Sequence, residues 1–162
     1  YAQLAYDESR LYVHLHAEEA QIRAENSGVL DQPCQDSCLE FFLSAAECDA
    51  RYLNIELNPN LCLYFGFGTG RVDRMRLLLP GGKTLNACCE RTATGWDVAY
   101  ELPFKLLQLF FPDFSPSGKI RGNFYKCGDL TAQEHYLAWN RVDAGHPDFH
   151  LPAYFGELCF SD

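Results

Sequence analysis

Hydrophobic and polar positions alternate with a period of two along much of the chain, which is typical of strands buried on one face. In residues 11–17, Leu11, Val13 and Leu15 point one way and the residues between them point the other way. Comparable patterns predict further short strands at residues 38–43, 52–57, 62–67, 71–79, 85–90, 96–102, 119–126, 135–139 and 155–160. We therefore expect a chain built mainly from short strands.

Turn sequences separate these strands, and only one segment indicates a helix. The turns are DES at 7–9, NPN at 58–60 and PGG at 80–82. The helix is predicted over 104–111, FKLLQLFF, because Pro103 stands at its start and Pro112 at its end. Many short strands with one short helix predict an all-β fold, a β-sandwich of jelly-roll or immunoglobulin-like type. The lack of linkers and repeats predicts a single domain over residues 1–162.

Composition and charge narrow the function classes. The 162 residues are 48% hydrophobic, enough for a sizeable core, and no apolar run reaches the about 20 residues of a membrane-spanning helix. Thirteen basic against 22 acidic residues give a net charge of −9, which disfavours nucleic acid as a partner. Tyr1 already lies in strand-like sequence, so the native N-terminal segment is expected to be missing. No signal peptide is apparent, and both a cytoplasmic and an extracellular location stay open.

Metal and catalytic motifs are sparse. The eight cysteines lack the regular spacing of a disulfide scaffold and are expected to be mainly reduced, buried thiols. Cys34 and Cys38 have a zinc-like spacing but no matching second pair. His14 and His16 could reach one metal ion, or they could simply lie on a solvated strand face. No nucleophile or phosphate-loop motif is present, so we expect no enzyme, although the carboxyl pair Asp36 and Glu40 is the candidate for acid–base chemistry.

Aromatic residues are more numerous than a core of this size requires, with nine Tyr, twelve Phe and two Trp. An exposed ring can stack on the apolar face of a sugar while polar neighbours bind the hydroxyl groups. The C-terminal third concentrates these residue types, among them Tyr125, Trp139, Asn140, Phe149 and His150. We expect Phe149 to be exposed in a loop, whereas Trp139, a further candidate, is expected to pack in the core.

Several segments, in order, resemble the family 9 carbohydrate-binding modules and related sugar-binding domains. They are AQLAYDESRLYVHLHAEE near the start, QDSCLEFFLS, and the closing segments GKIRGNFYKCGD, LAWN and FHLPAYFGEL. The resemblance implies a β-sandwich without catalysis that recognises a mono- or oligosaccharide, with a chain end as one form of ligand. It also implies fusion to or association with a glycoside hydrolase, and a structural Ca²⁺, for which Asp36 and Asp7 offer oxygen ligands.

In the sugar-binding members of that family, two rings sandwich a terminal sugar. By position the second ring falls on Phe149, and the first falls on Pro33 or Cys34, neither of which is aromatic. Tyr52, Tyr64 and Tyr125 stay open as replacements for the missing ring. The complete set of candidate sugar-binding residues is Phe149, His150, Glu40, Asn54, Trp139, Asn140 and Tyr125.

Two alternatives accompany this prediction. Similar sandwiches bind haem between a methionine and a histidine or lysine, and Met75 is the one methionine here. The other alternative is a domain of the same fold that has lost sugar binding and serves a protein interaction.

Overall fold

The computed structural model describes residues 1–46 and 49–161. In that part of the chain eleven strands and one α-helix follow one another. They are β1 (Ala2–Tyr6), β2 (Arg10–Glu18), β3 (Cys38–Ser44), β4 (Tyr52–Leu57), β5 (Leu63–Gly68), β6 (Arg74–Arg76), β7 (Cys88–Arg91), β8 (Gly95–Pro103), α1 (Phe104–Phe110), β9 (Gly118–Gly128), β10 (His135–Ala138) and β11 (Gly156–Phe160). None of the described helices is long and apolar enough to cross a membrane.

The strands form two antiparallel sheets. The smaller sheet has the order β1-β2-β8-β7, and the larger has the order β10-β9-β3-β4-β5-β6, with β11 also paired to β9. The long strand β9 holds β10 along its C-terminal half and β11 along its N-terminal half. The predicted all-β sandwich with one short helix is therefore confirmed.

The main core lies between the two sheets and follows the predicted alternation. Leu11, Val13 and Leu15 of β2 are buried, whereas the residues between them face outward. They pack in one cluster with Trp96 of β8 and Phe41 of β3. Period two on each strand thus directs one face of each sheet into a common core.

The sequence prediction is wrong at two edge strands. The strand expected at 71–79 is reduced to the three residues of β6, because residues 69–73 form the turn between β5 and β6, closed by the N–H of Thr69 donating to the carbonyl of Asp73 at 3.0 Å. The strand expected at 85–90 begins only at Cys88. Leu85 and Asn86 have φ values of 58° and 51°, a left-handed conformation that a strand cannot include.

Seven of the eight cysteines are described, and all seven are free thiols. Cys38, Cys62 and Cys127 are buried as expected, but Cys88 and Cys159 are exposed. Cys48 lies outside the described residues.

Candidate functional site

An aromatic cluster covers part of the outer face of the larger sheet, opposite the main core. Phe42, Tyr52 and Tyr125 project from β3, β4 and β9 and are buried together with Phe155. The ring centroids of Phe42 and Tyr125 are 4.9 Å apart, and those of Phe42 and Tyr52 are 5.7 Å apart. Phe149 packs against the cluster. The cluster gives this face a rigid base on which loops can build a site.

A small pocket of about 130 Å³ lies on the same face. Its charged side chains are three acids and two arginines, Glu40, Glu56, Asp129, Arg71 and Arg74. Its ring-bearing side chains are Tyr136, Phe149 and His150. Convergent charged groups and rings in one concavity are typical of a ligand site.

Two buried carboxyl groups form the floor of the pocket. Glu40 on β3 and Glu56 on β4 are directly opposite each other in the strand pairing and are 3% and 4% exposed. Burial, reinforced by the neighbouring Glu56, raises the pKa of Glu40 well above its usual range. Burial also raises the pKa of Glu56 to about 7, against the opposing effect of Arg74. The pair therefore holds a proton near neutral pH and can both donate and accept hydrogen bonds.

The raised pKa of Glu56 predicts a pH dependence of stability. The folded chain keeps a proton on this group that the unfolded chain releases above its usual pKa of 4.5. The stabilisation is fully present below that pKa and is lost as the pH rises through about 7, a change on the order of 1–3 kcal/mol. Urea unfolding of the wild type and Glu56→Gln at about pH 5, 6, 7 and 8 should show the wild type losing stability relative to the variant. Parallel pH profiles would contradict this.

His150 is held neutral at the rim of the pocket. The hydroxyl of Tyr52 and Nη1 of Arg74 each lie 2.8 Å from its Nδ1. Burial, followed by the nearby guanidinium of Arg74, lowers the pKa of His150 to about 3. Asp148 accepts a hydrogen bond from Nη2 of Arg71 at 3.1 Å and from the backbone N–H of His150 at 3.0 Å. These contacts fix the loop that carries Phe149.

The ring of Phe149 lines the pocket. It stacks on Tyr125, with centroids 4.1 Å apart and planes 12° apart. The Tyr125 hydroxyl donates to the Phe149 carbonyl at 3.2 Å, and Tyr136 stands edge-on to the Phe149 ring at 6.1 Å. Phe149 is thus half-buried rather than exposed as expected. Its position is set by the ring beneath it.

Five of the seven candidate residues gather at the pocket or beneath it. Glu40, Phe149 and His150 line it. Tyr125 supports Phe149, and Nδ2 of Asn54 donates to Oε1 of Glu56 at 2.6 Å. Tyr125 and Asn54 therefore contact residues that line the pocket.

Trp139 and Asn140 lie elsewhere. Trp139 is 54% exposed, so the expected core packing is wrong, and its ring packs on Phe124 at 5.7 Å. It borders a larger groove of about 820 Å³ on the other side of β9 and β10. The backbone of Asn140 is bound to the side chain of Asn123. Neither residue lines the pocket.

The position of the missing first ring is occupied by Cys34, which lines the pocket, while Pro33 is buried. None of the three tyrosines weighed as substitutes takes over that role. Tyr52 and Tyr125 are buried in the cluster, and Tyr64 is covered by the guanidinium groups of two arginines at 4.8 and 4.6 Å. Of the rings in the described chain, Tyr136 is the one that lines the pocket beside Phe149 and His150.

Sequence reasoning missed several lining residues, namely Glu56, Arg71, Arg74, Asp129 and Tyr136. The sequence contained a signal for Glu56. Glu56 follows Asn54 by two positions and therefore shares its strand face. The others depend on loop positions and on the pairing of distant strands.

The carboxylates of Asp36 and Asp7, the expected calcium ligands, both accept hydrogen bonds from neighbouring groups. Oδ2 of Asp36 accepts the backbone N–H groups of Glu25 and Asn26 at 3.0 and 2.8 Å and Nδ2 of Asn58 at 2.8 Å. Oδ1 of Asp36 faces Nε of Arg23 at 3.2 Å without a hydrogen bond. Oδ1 of Asp7 accepts the backbone N–H and the hydroxyl of Ser9, and Oδ2 accepts the hydroxyl of Tyr12 on β2. A structural Ca²⁺ stays a prediction.

Two other metal hypotheses gain no support from the geometry. Nε2 of His14 and Nδ1 of His16 lie 2.8 and 3.0 Å from Oδ1 of Asp97 on the smaller sheet. Met75 lies on the edge strand β6 and is 61% exposed. Since alternate residues face opposite ways, Met75 points away from the face on which Arg74 contacts His150. Met75 therefore does not face His150.

Comparisons with known proteins agree with this fold and with the sequence resemblance. The family described as carbohydrate-binding family 9 matches residues 2–160. A candidate carbohydrate-binding protein of Bacteroides uniformis shares 29% identity and a TM-score of 0.84, covering 98% of this chain and 76% of that chain. No curated protein matches the chain significantly.

A second solved structure supports the fold alone. It is a family 9 carbohydrate-binding module from Caldicellulosiruptor kristjanssonii in complex with cellotriose, with 15% identity and a TM-score of 0.60. It covers 98% of this chain and 72% of that chain. Because the family match spans nearly the whole sequence, the chain belongs to carbohydrate-binding family 9.

Proposed function

We propose that the outer-face pocket binds one terminal sugar unit of a mono- or oligosaccharide without chemical conversion. The observation that carries this proposal is the meeting of Glu40, Glu56, Arg74 and Phe149 in one concavity. Carboxyl and guanidinium groups bind vicinal hydroxyls through paired hydrogen bonds, and the Phe149 ring at the pocket suits the apolar face of a pyranose.

The size of the pocket favours a chain end. At about 130 Å³ it is smaller than the roughly 300–1,000 Å³ of sites that enclose drug-sized ligands. It accommodates one ring at most, so the remainder of an oligosaccharide would extend into solvent. Stacking by one ring contributes on the order of 1 kcal/mol beyond buried area, and each hydrogen bond adds about 1 kcal/mol. We expect dissociation constants of roughly micromolar to millimolar.

Catalysis is not part of the proposal. Asp36, weighed as the acid–base partner of Glu40, is fully buried and bonded to backbone N–H groups. The resemblance implies association with a glycoside hydrolase. We keep this association in the proposal, because a binding domain without catalysis would serve an associated enzyme.

Isothermal titration of the chelator-treated protein, with and without added Ca²⁺, against a panel of mono- and oligosaccharides, cello-oligosaccharides included, tests the function. We expect saturable 1:1 binding, with affinities for a trisaccharide and its terminal monosaccharide within about tenfold, because one unit enters the pocket. Arg74→Ala should weaken this binding, and Arg141→Ala, an exposed arginine outside the pocket, should not. A folded protein that binds no member of the panel would instead support the alternative of a domain that has lost sugar binding.

A further inference from the structure

Three potential metal ligands meet at the base of the pocket. The Sγ atoms of Cys38 and Cys127 and a carboxylate oxygen of Glu40 all lie within 4.8 Å of one another. The three side chains are 0%, 2% and 3% exposed, respectively. Among the described residues, this is the one cluster of three or more such ligand atoms at that spacing.

Strand pairing brings these residues together from distant parts of the sequence. Cys38 on β3 is directly opposite Cys127 on β9, and Glu40 follows Cys38 by two positions on the same face. Sγ of Cys127 donates to Oε1 of Glu40 at 2.8 Å. The zinc-like spacing of Cys34 and Cys38 has no second cysteine pair in the sequence. Strand pairing nevertheless places Cys127 next to Cys38.

The chemistry of the three donors suits a thiophilic cation. Thiolate sulfur and carboxylate oxygen are ligands of Zn²⁺, which takes three protein ligands and an open position in many sites. Glu40 and Cys127 line the pocket, whereas Cys38 does not. The fourth coordination position of a bound cation would therefore face the pocket. Burial raises the pKa of Cys38 and of Glu40, and metal binding to such ligands is accompanied by proton release.

We propose that Cys38, Glu40 and Cys127 form a binding site for a thiophilic divalent cation of the Zn²⁺ class, with one coordination position open to the pocket. The site does not depend on the proposed sugar binding. It shares Glu40 with the pocket, however, so a bound cation would hold that carboxylate ionised and fix its orientation.

Titration of the reduced, chelator-treated protein with Co²⁺, followed by displacement with Zn²⁺, tests the site. Thiol counting before the titration establishes that the cysteines are reduced. We expect one equivalent of Co²⁺ to produce thiolate-to-metal charge-transfer absorbance that Zn²⁺ abolishes. Cys38→Ser and Cys127→Ser should weaken binding at least about 100-fold. Cys62→Ser, which changes an equally buried thiol outside the cluster, should leave it unchanged.

Other results would overturn the proposal. These are failure of the reduced wild type to bind Co²⁺ or Zn²⁺, unchanged affinity in both cysteine variants, or loss of binding in His14→Ala with His16→Ala instead. If circular dichroism shows that the serine variants do not fold, the nearly isosteric Glu40→Gln decides, with an expected loss of about 10- to 100-fold. Sugar titration in chelator is a separate experiment, so failure of the metal site and failure of the sugar site are distinguishable.

Discussion

Phe149→Ala is expected to weaken sugar binding at least about 30-fold while leaving the fold intact. The Phe149 ring lines the pocket and is positioned by Tyr125, with the two rings stacked at 4.1 Å. Loss of stacking and of buried apolar area removes about 2 kcal/mol of binding free energy. Isothermal titration measures the change.

Trp139→Ala is the matched control for this prediction. Trp139 is more exposed than Phe149 and would be the natural sugar platform if exposure alone decided. It lies outside the pocket, so its removal should change affinity less than about twofold. A large loss with Trp139→Ala, together with unchanged binding by Phe149→Ala, would move the site to the groove beside Trp139.

Asp36→Ala is expected to destabilise the domain by about 3–5 kcal/mol, since it removes one partner of a buried charged network. Asp36 is 0% exposed and joins three segments. It binds the backbone at Glu25 and Asn26, the side chain of Asn58 after β4, and Arg23, whose Nε lies 3.2 Å from Oδ1. Without the carboxylate, the backbone N–H groups of Glu25 and Asn26 and one N–H of Asn58 lose their acceptor inside the fold.

Urea unfolding followed by tryptophan fluorescence measures this loss. Asp7→Ala is the control, because Asp7 also accepts several hydrogen bonds within a turn but is exposed to solvent. Water can replace the lost partners there, so its effect should be much smaller. A loss for Asp36→Ala no larger than that for Asp7→Ala would contradict the role of Asp36 in joining the segments.

The sequence predicted the fold well wherever one face of a strand is buried. The alternation around Leu11, Val13 and Leu15 reports burial directly, and the prolines at 103 and 112 bracket α1 at Phe104–Phe110. The sequence prediction failed where backbone conformation, rather than burial, determines where a strand begins. The left-handed conformations of Leu85 and Asn86 have no signal in a hydrophobic pattern, and they delay the start of β7.

The site was predicted only in part, because it depends on pairing between strands far apart in sequence. Glu40 and Phe149 could be identified through the family resemblance, whereas Glu56 meets Glu40 only through the register of β3 and β4. Trp139 shows the converse. Its place at the end of an alternating run predicted burial. Trp139 directly follows β10, however, which is an edge strand of the larger sheet, and its side chain is exposed to solvent.

Chemical-shift mapping of the isotope-labelled protein during titration with a saturating sugar would locate the binding surface residue by residue. We predict that the largest shifts fall on backbone amides of residues 127–129, 136 and 148–150, around the outer-face pocket. The amides of β2, on the other sheet, should stay unchanged. Largest shifts at residues 137–139 and 158, along the groove beside Trp139, or no shifts with any sugar of the panel, would contradict the proposed site.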